Sequence, residues 1–317
     1  MKQLLTRFPK TVGAFAYGSG VFVQKGNEIG AMGLPNMLDL VFIVKNSCEW
    51  HRMNMERNPS HYWWLMRSFG SKFVASIQEN YSAYIYYNTL IKMDDRFLKY
   101  GVISEVDFYH DLSRWDTLYF GGRMHKPVFF LNGFASSLLY DISQINLKYA
   151  LNTACLLLPH QFTREQLLLA IAGLSYSGDF RMTVGEDKKK VEKIVRSNFE
   201  PMWNLYHPYI AADDCMSILP SGCIEQDVSH EETIRRINFL PINVRFNLNW
   251  SLLTSKSVKR EDVAQNIVQS ISRIVRRSSP RQAVKGVICS GPKKAFVYSM
   301  MKLVKMFRNL YLFLTFF

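Results

Sequence analysis

The chain lacks most of the signatures by which a sequence announces its chemistry. No apolar run approaches the roughly 20 residues a helix needs to cross a bilayer, which argues against integral membrane insertion. Its five cysteines (Cys48, Cys155, Cys215, Cys223 and Cys289) are odd in number, scattered and without CxxC pairing. A disulfide framework and a zinc ribbon are both disfavoured, and reduced, mostly buried thiols are expected. The stretch AFAYGSGVFVQKG, Ala14 to Gly26, fits none of three familiar motifs. Gly13 and Gly18 have Walker A spacing, but Ser19 and Gly20 follow where Lys and Ser/Thr are required. Val23 stands where a Rossmann fingerprint needs its third glycine. Tyr17 and Val21 stand where a nucleophile elbow needs glycines. No internal repeat or low-complexity segment is present.

What is there is a chain of 317 residues, 48% hydrophobic, long enough for about two globular domains. Lys and Arg number 39 against 26 Asp and Glu, a net charge of +13. That balance favours an anionic partner: nucleotide, nucleic acid or anionic lipid. The first residues, MKQLLTRFPK, carry three basic and no acidic residues, a hint of a mitochondrial presequence.

The segment TVGAFAY reads as a short buried strand, and the Gly18-Ser19-Gly20 turn after it suits positive φ or close approach of a ligand. In MLDLVFIVK, alternation puts Leu38, Leu40, Phe42 and Val44 on one strand face and Asp39, Val41, Ile43 and Lys45 on the other. Asp39 is then a lone carboxylate in an apolar strand, needing a cation, a hydrogen bond or strand-end exposure; a metal ion is one such cation. Asn46 with Glu49 has capping-box spacing, and His51, Asn54 and Asn58 form one helical stripe. Residues from about 70 to 130 alternate strands (YIYYNTLI, KPVFFL) with a helix around DLSRWDTLYF and a basic turn, GGRMHKP. From about 145 the texture is helical, with a second capping box at Thr163 and Gln166, then turns at Gly178 and Gly185 and a basic helix. Residues 215 to 260 read as irregular. The expected division is 1–144, 145–260 and a C-terminal helical region, 261–317.

A Gly-Ser turn after a first strand, with an acid in the next, is the skeleton of the polymerase-β-type nucleotidyltransferase fold, in which turn amides and a hydroxyl hold triphosphate oxygens and strand carboxylates hold Mg²⁺. The blocks FAYGSGVFVQKG, MLDLVFIV, WHRMNMERNPSHY, KYGVIS, LYFGGRMHKPV, LAIAGLSYSGDFRMTVGEDKKKVEKIV and RQAVKGVICSG run in order from about residue 8 to about residue 305. Together they resemble the mitochondrial phosphatidate cytidylyltransferase family, also called the translocator assembly and maintenance family. The resemblance implies an α+β fold: a nucleotidyltransferase domain followed by a mainly helical, winged-helix-like domain. It implies an enzyme joining CTP to phosphatidate with Mg²⁺, releasing pyrophosphate and CDP-diacylglycerol, the precursor of cardiolipin. It also implies peripheral attachment to the matrix face of the inner mitochondrial membrane. An apolar residue at Val41 matches the family. Lys45-Asn46, where relatives often carry an acid, departs from it, as do Trp63 and Tyr149.

On that resemblance Gly18, Ser19 and Gly20 are assigned to the triphosphate and Asp39 to the metal. Asp179 is preferred over Glu186 and Asp187 as a second metal carboxylate. Arg123, Lys126 and Arg181 are candidates for the positive charge needed between two anions. Ser175 and Tyr176 are placed beside the nucleotide or in the interior, and His51 and His61 in a hydrogen-bonded structural role or against cytosine or ribose. Lys293, Lys294 and Lys302 are assigned to lipid phosphate, and the basic then apolar tail from Phe296 to Phe317 to an anionic membrane surface. Two rival readings remain at this stage: a polynucleotide or tRNA nucleotidyltransferase, and a catalytically silent membrane scaffold. The favoured reading expects no stable nucleic-acid partner and implies no oligomeric state.

Overall fold

Strand β2 (Leu38–Val44) shows how the alternation builds the fold. Leu38, Leu40, Phe42 and Val44 enter a core with Phe8, Trp50, Tyr100 and Val102. Strand geometry turns Asp39 to the opposite face. β2 pairs antiparallel with β1 (Gly13–Tyr17) and parallel with β4 (Arg96–Ser104). With β3 (Tyr86–Met93) and β5 (Phe129–Asn132) they form a five-stranded sheet in the order β3-β4-β2-β1-β5. The structure is a computed structural model that describes residues 2–22, 36–93, 96–134, 137–184, 189–249 and 259–301.

Two compact units divide the chain: Met1–Phe108, Val128–Leu139 and Ser279–Phe317 form the first, Tyr109–Pro127 and Tyr140–Ser278 the second. The units are therefore interleaved in sequence, unlike the contiguous division expected, whose cut at residue 144 falls inside one helix (Leu138–Leu157).

In the first unit, helix α1 (Ser47–Arg57) starts at Asn46, whose side chain accepts the Glu49 N–H at 3.0 Å. The reciprocal half of the expected capping box is absent, because the Glu49 carboxylate pairs with Arg52 at 2.6 Å. The stripe on α1 faces inward. His51 and Asn54 are buried: His51 meets the Tyr62 hydroxyl at 2.7 Å and Gln78 Oε1 at 2.9 Å, and Asn54 donates to the Tyr62 and Tyr100 hydroxyls. Burial pushes His51 and His61 down to about 4, so both are neutral at pH 7. With His61 Nδ1 3.0 Å from the Tyr100 hydroxyl, these contacts give His51, Asn54 and His61 a place in a buried hydrogen-bond network. Helix α2 (Trp64–Asn80) kinks at Gly70, φ 80°. The Lys285 side chain, buried, donates to the carbonyls of Gln78 (3.3 Å) and Tyr81 and so closes the C-terminal end of α2.

In the second unit the expected helix around DLSRWDTLYF stops early. Helix α3 (Glu105–Arg114) stops before Trp115, and Trp115 and Leu118 take positive φ (57° and 55°). The expected basic turn is a one-turn helix, α4 (Gly121–Met124). Helix α5 (Leu138–Leu157), α6 (Arg164–Leu174), α7 (Arg181–Val184), α8 (Lys190–Ser197) and α9 (Phe199–Ala211) follow. The capping box of α6 forms in full, Thr163 with the Gln166 N–H and Gln166 with the Thr163 N–H. Residues 216–246 are built of short elements rather than irregular chain. Strands β6 (Gln161–Phe162), β7 (Met216–Ile218) and β8 (Ile224–Gln226) make a small antiparallel sheet, followed by α10 (His230–Asn238) and α11 (Ile242–Phe246). Helix α12 (Arg260–Ser290) supplies Val263, Ile267, Ile271 and Ile274 to this unit's apolar core.

All five cysteines are free thiols, but only Cys155 and Cys289 are buried; Cys48, Cys215 and Cys223 are partly exposed. Among the described residues no helix is long and apolar enough to cross a membrane.

Candidate functional site

In the first unit the glycine turn and the strand carboxylate meet. β1 ends at Tyr17, which pairs with Asp39 across the antiparallel ladder, and the chain turns through Gly18–Gly20 with Gly18 at φ 76°. The N–H groups of Val21 and Phe22 both bond to the Gly18 carbonyl. Two separate demands explain the glycines. Gly18 needs the left-handed region, and it adjoins Asp39, where an added Cβ would stand in ordinary contact with Oδ2 at 3.6 Å. At Gly20 a Cβ would collide with the Met37 carbonyl, so the turn is pressed against the chain entering β2.

Asp39 is about a quarter exposed and has a cationic neighbour that spacing arguments did not find. Lys99 on β4 is its register partner, with Nζ 3.8 Å from Oδ1. The ammonium also lies over the Tyr87 ring, 4.3 Å from its centroid. For a hard divalent cation the donor chemistry is suitable: a carboxylate beside a serine turn, with Mg²⁺ ordinarily taking one or two carboxylates and the rest of its shell from water and substrate phosphate. Lys45, the departure from the family pattern, follows the end of β2, roughly 20 Å along the strand from Asp39 at the usual rise per residue. At that separation the Lys45 side chain does not reach Asp39.

The second unit holds a cationic cluster fixed by a buried polar network. The Asp111 carboxylate, fully buried, accepts from the N–H groups of Thr117 (2.7 Å), Phe120 (2.6 Å) and Gly121 (3.1 Å) and from the Thr117 hydroxyl. Asn146 accepts from the Trp115 indole at 2.8 Å and donates to the Gly121 carbonyl at 3.0 Å. These bonds set α4, which carries Arg123 over the Tyr119 ring and directs Lys126 to the Ser175 hydroxyl at 3.2 Å. Lys126 and Lys190 both lie near the Tyr176 ring, at 5.4 and 5.6 Å from its centroid. Burial first, then the charges of Arg123 and Lys190, push Lys126 down to about 7. Gly122 packs so tightly on Ser175 that a Cβ would overlap the serine. Gly122→Ala is expected to cost about 2 kcal/mol through overpacking, measured as a shift of the urea midpoint at unchanged slope.

Asp179 and Arg181, expected to serve a metal and a phosphate respectively, are bound to each other. Arg181 Nε lies 3.1 and 3.0 Å from the two carboxylate oxygens and Nη2 lies 2.6 Å from Oδ2. Asp179 is almost wholly buried in this pair, whereas the Arg181 side chain is 37% exposed, and its contacts to Asp179 engage Nε and Nη2. Glu186, Asp187 and Lys302 lie outside the described residues, as does most of the tail and the turn at Gly185. Lys293 is exposed on helical residues 292–301, whereas Lys294 is half-buried and its amine is lowered by burial. A cluster of Asp213, Cys215 and Glu232 has metal-ligand spacing. Its two carboxylates are already paired with Arg235 and with the buried Arg236, at 2.6 Å for Arg236–Glu232, which makes it a structural ion network.

A glycine turn beside a strand carboxylate in the first unit, and in the second the cations Arg123, Lys126 and Lys190 around a short helix held by the buried Asp111 and Asn146, suit this α+β protein to oxygen-rich polyanions such as phosphates. Comparison with known proteins narrows this. Residues 1–305 match the family described as "Phosphatidate cytidylyltransferase, mitochondrial". Proteins of that name from Xenopus laevis and Rattus norvegicus are 40% and 39% identical to this chain, each across 98% of it and 95% of their own length. One from Caenorhabditis elegans is 38% identical across 93% of the chain and 94% of its own length. The chain belongs to the mitochondrial phosphatidate cytidylyltransferase family. Among solved structures, a nucleotidyltransferase-like protein from Exiguobacterium sibiricum aligns with 90% of the chain and 74% of its own, at 10% identity and a TM-score of 0.22, too slight a likeness to bear on the fold.

Proposed function

We propose that this chain transfers the cytidylyl group of CTP to phosphatidate, forming CDP-diacylglycerol and pyrophosphate for cardiolipin synthesis. Family membership over nearly the whole chain carries the reading, and the turn packed against Asp39 supplies chemistry that agrees with it. A phosphatidate oxygen attacks the α-phosphorus of CTP and the bond to pyrophosphate breaks. The nucleophile is already an anion at neutral pH, so positioning and charge neutralisation matter more than a general base. The amides of Gly18–Gly20 and the Ser19 hydroxyl bind triphosphate oxygens. Asp39 would hold Mg²⁺, which when bound neutralises charge on the phosphate oxygens. Arg123 and Lys126 offer positive charge to an anionic phosphate group. In this reading the five-stranded sheet belongs to a polymerase-β-type nucleotidyltransferase domain, and β7–β8 forms the wing of a winged-helix-like unit.

The same reading places the protein on the matrix face of the inner membrane as a peripheral protein. The first unit exposes Trp64, Phe69 and Phe73 on α2, and Phe296, Val297 and Met300 on helical residues 292–301, with Arg67, Lys72 and Lys293 also exposed. Aromatic residues with basic neighbours favour an anionic interface. Replacing Trp64 and Phe296 together by serine is expected to weaken binding to anionic liposomes about tenfold in co-sedimentation, with CTP affinity unchanged.

The test of the function is labelled CTP with divalent metal and liposomes that contain or lack phosphatidate, alongside an oligonucleotide acceptor. Label passing only to phosphatidate supports the proposal, and label passing to the oligonucleotide replaces it with a polynucleotide transferase. Liposome binding without turnover replaces it with the silent scaffold.

A further inference from the structure

We propose that Lys99 is the resident counter-cation of Asp39, which yields the carboxylate to an incoming divalent metal and passes its ammonium to a phosphate of the nucleotide. This rests on the cytidylyltransferase reading and adds a positioning residue to it. Parallel pairing of β2 with β4 places Lys99 beside Asp39 on one sheet face. At 3.8 Å the contact with Oδ1 is Coulombic and too long for a tight hydrogen bond. Other contacts hold the ammonium more firmly. It lies over the Tyr87 ring and donates to the Tyr298 hydroxyl at 3.4 Å, while the Tyr87 hydroxyl meets that of Tyr17, the last residue before the glycine turn, at 3.4 Å. The side chain is mostly buried, at 16% exposure.

A dication on the Asp39 carboxylate repels an ammonium a few ångströms away, so metal entry and the present position of Nζ are mutually unfavourable. The nucleotide resolves the conflict, because it brings anionic oxygens to the turn that adjoins Asp39. A lysine is suited to that exchange: its compact charge on a flexible stem reaches a phosphate without the fixed fork of arginine. Lys99 thus keeps Asp39 compensated in the absence of ligand and makes stable metal occupancy depend on the nucleotide.

The test uses the full-length protein and Mn²⁺, whose binding is read by electron paramagnetic resonance without nucleotide, in wild type, Lys99→Met, Lys99→Arg and Asp39→Asn. Lys99→Met is expected to bind Mn²⁺ about tenfold more tightly than wild type, Lys99→Arg to resemble wild type, and Asp39→Asn to lose the site. At saturating Mn²⁺, Lys99→Met is expected to bind CTP about tenfold more weakly. A purely structural lysine would not make metal affinity rise. Unchanged or weaker Mn²⁺ binding in Lys99→Met overturns the counter-cation role, and unchanged CTP binding overturns the transfer to phosphate. Lys99→Gln, which removes the same charge and keeps a polar head, replaces Lys99→Met if the latter does not fold. The metal titration contains neither CTP nor phosphatidate, so it stands even where the wild type fails to make CDP-diacylglycerol, and that failure counts against the function alone.

Discussion

Asp39→Asn is expected to lower CDP-diacylglycerol formation by about a thousandfold, the usual scale for removing charge stabilisation from a phosphoryl-transfer site. The substitution keeps the side-chain shape and removes only the negative charge, at a position about a quarter exposed. The fold should tolerate it, because Asp39 sits near the start of β2 and is partly exposed, whereas the strand's other residues, Val41 and Ile43 on its own face included, are buried. The main structural consequence is that Lys99 loses its carboxylate partner at 3.8 Å while keeping Tyr87 and Tyr298. The melting temperature should therefore stay within a few degrees of wild type. The measurement is turnover of labelled CTP on phosphatidate liposomes, paired with a thermal melt of the same preparation. Turnover within tenfold of wild type would remove Asp39 from the chemistry and, with it, the metal site built on the glycine turn. Ser19→Ala should act more mildly, because the turn amides remain when the hydroxyl is lost.

How much of this was legible beforehand depends on whether the decisive pairing is local. The alternation in MLDLVFIVK isolated Asp39 because the strand period of two is written in adjacent residues. The caps at Asn46 and Thr163 were equally local. Lys99 was not visible, because its link to Asp39 exists only through the parallel pairing of β2 with β4, which no spacing encodes. Asp111 was overlooked for a related reason. Within DLSRWDTLYF an acid reads as a helix charge, yet here it bends the chain by collecting three backbone N–H groups, which is why the predicted helix ends at Arg114. Lys285, inside the block RQAVKGVICSG, is buried against the end of α2, a contact across 207 residues of chain that no local spacing encodes. The division into units failed for a topological reason: residues 109–127 leave the first unit and join the second, so no single cut separates them.

Lys126 gives the second large effect, together with a pH signature. Its amine is held down to about 7 by burial and by Arg123 and Lys190, against about 10.5 for a free lysine. The folded state thus releases a proton that the unfolded chain keeps, and stability from this group rises with pH between about 7 and 10.5. An anion does the reverse. It favours the ammonium, so binding takes up a proton, and affinity is full below pH 7 and falls as pH rises above it. Inorganic pyrophosphate is the simplest probe for that linkage. Its affinity should decline by up to about tenfold per pH unit above 7 in the wild type, measured by calorimetry in buffers of different ionisation enthalpy. Lys126→Arg, charged throughout this range, should flatten the profile. Lys126→Met should lower kcat/KM about a hundredfold and also flatten it, because the titrating group is gone. A decline that persists in Lys126→Met would assign the titration elsewhere and leave Lys126 as packing on Ser175 and Tyr176.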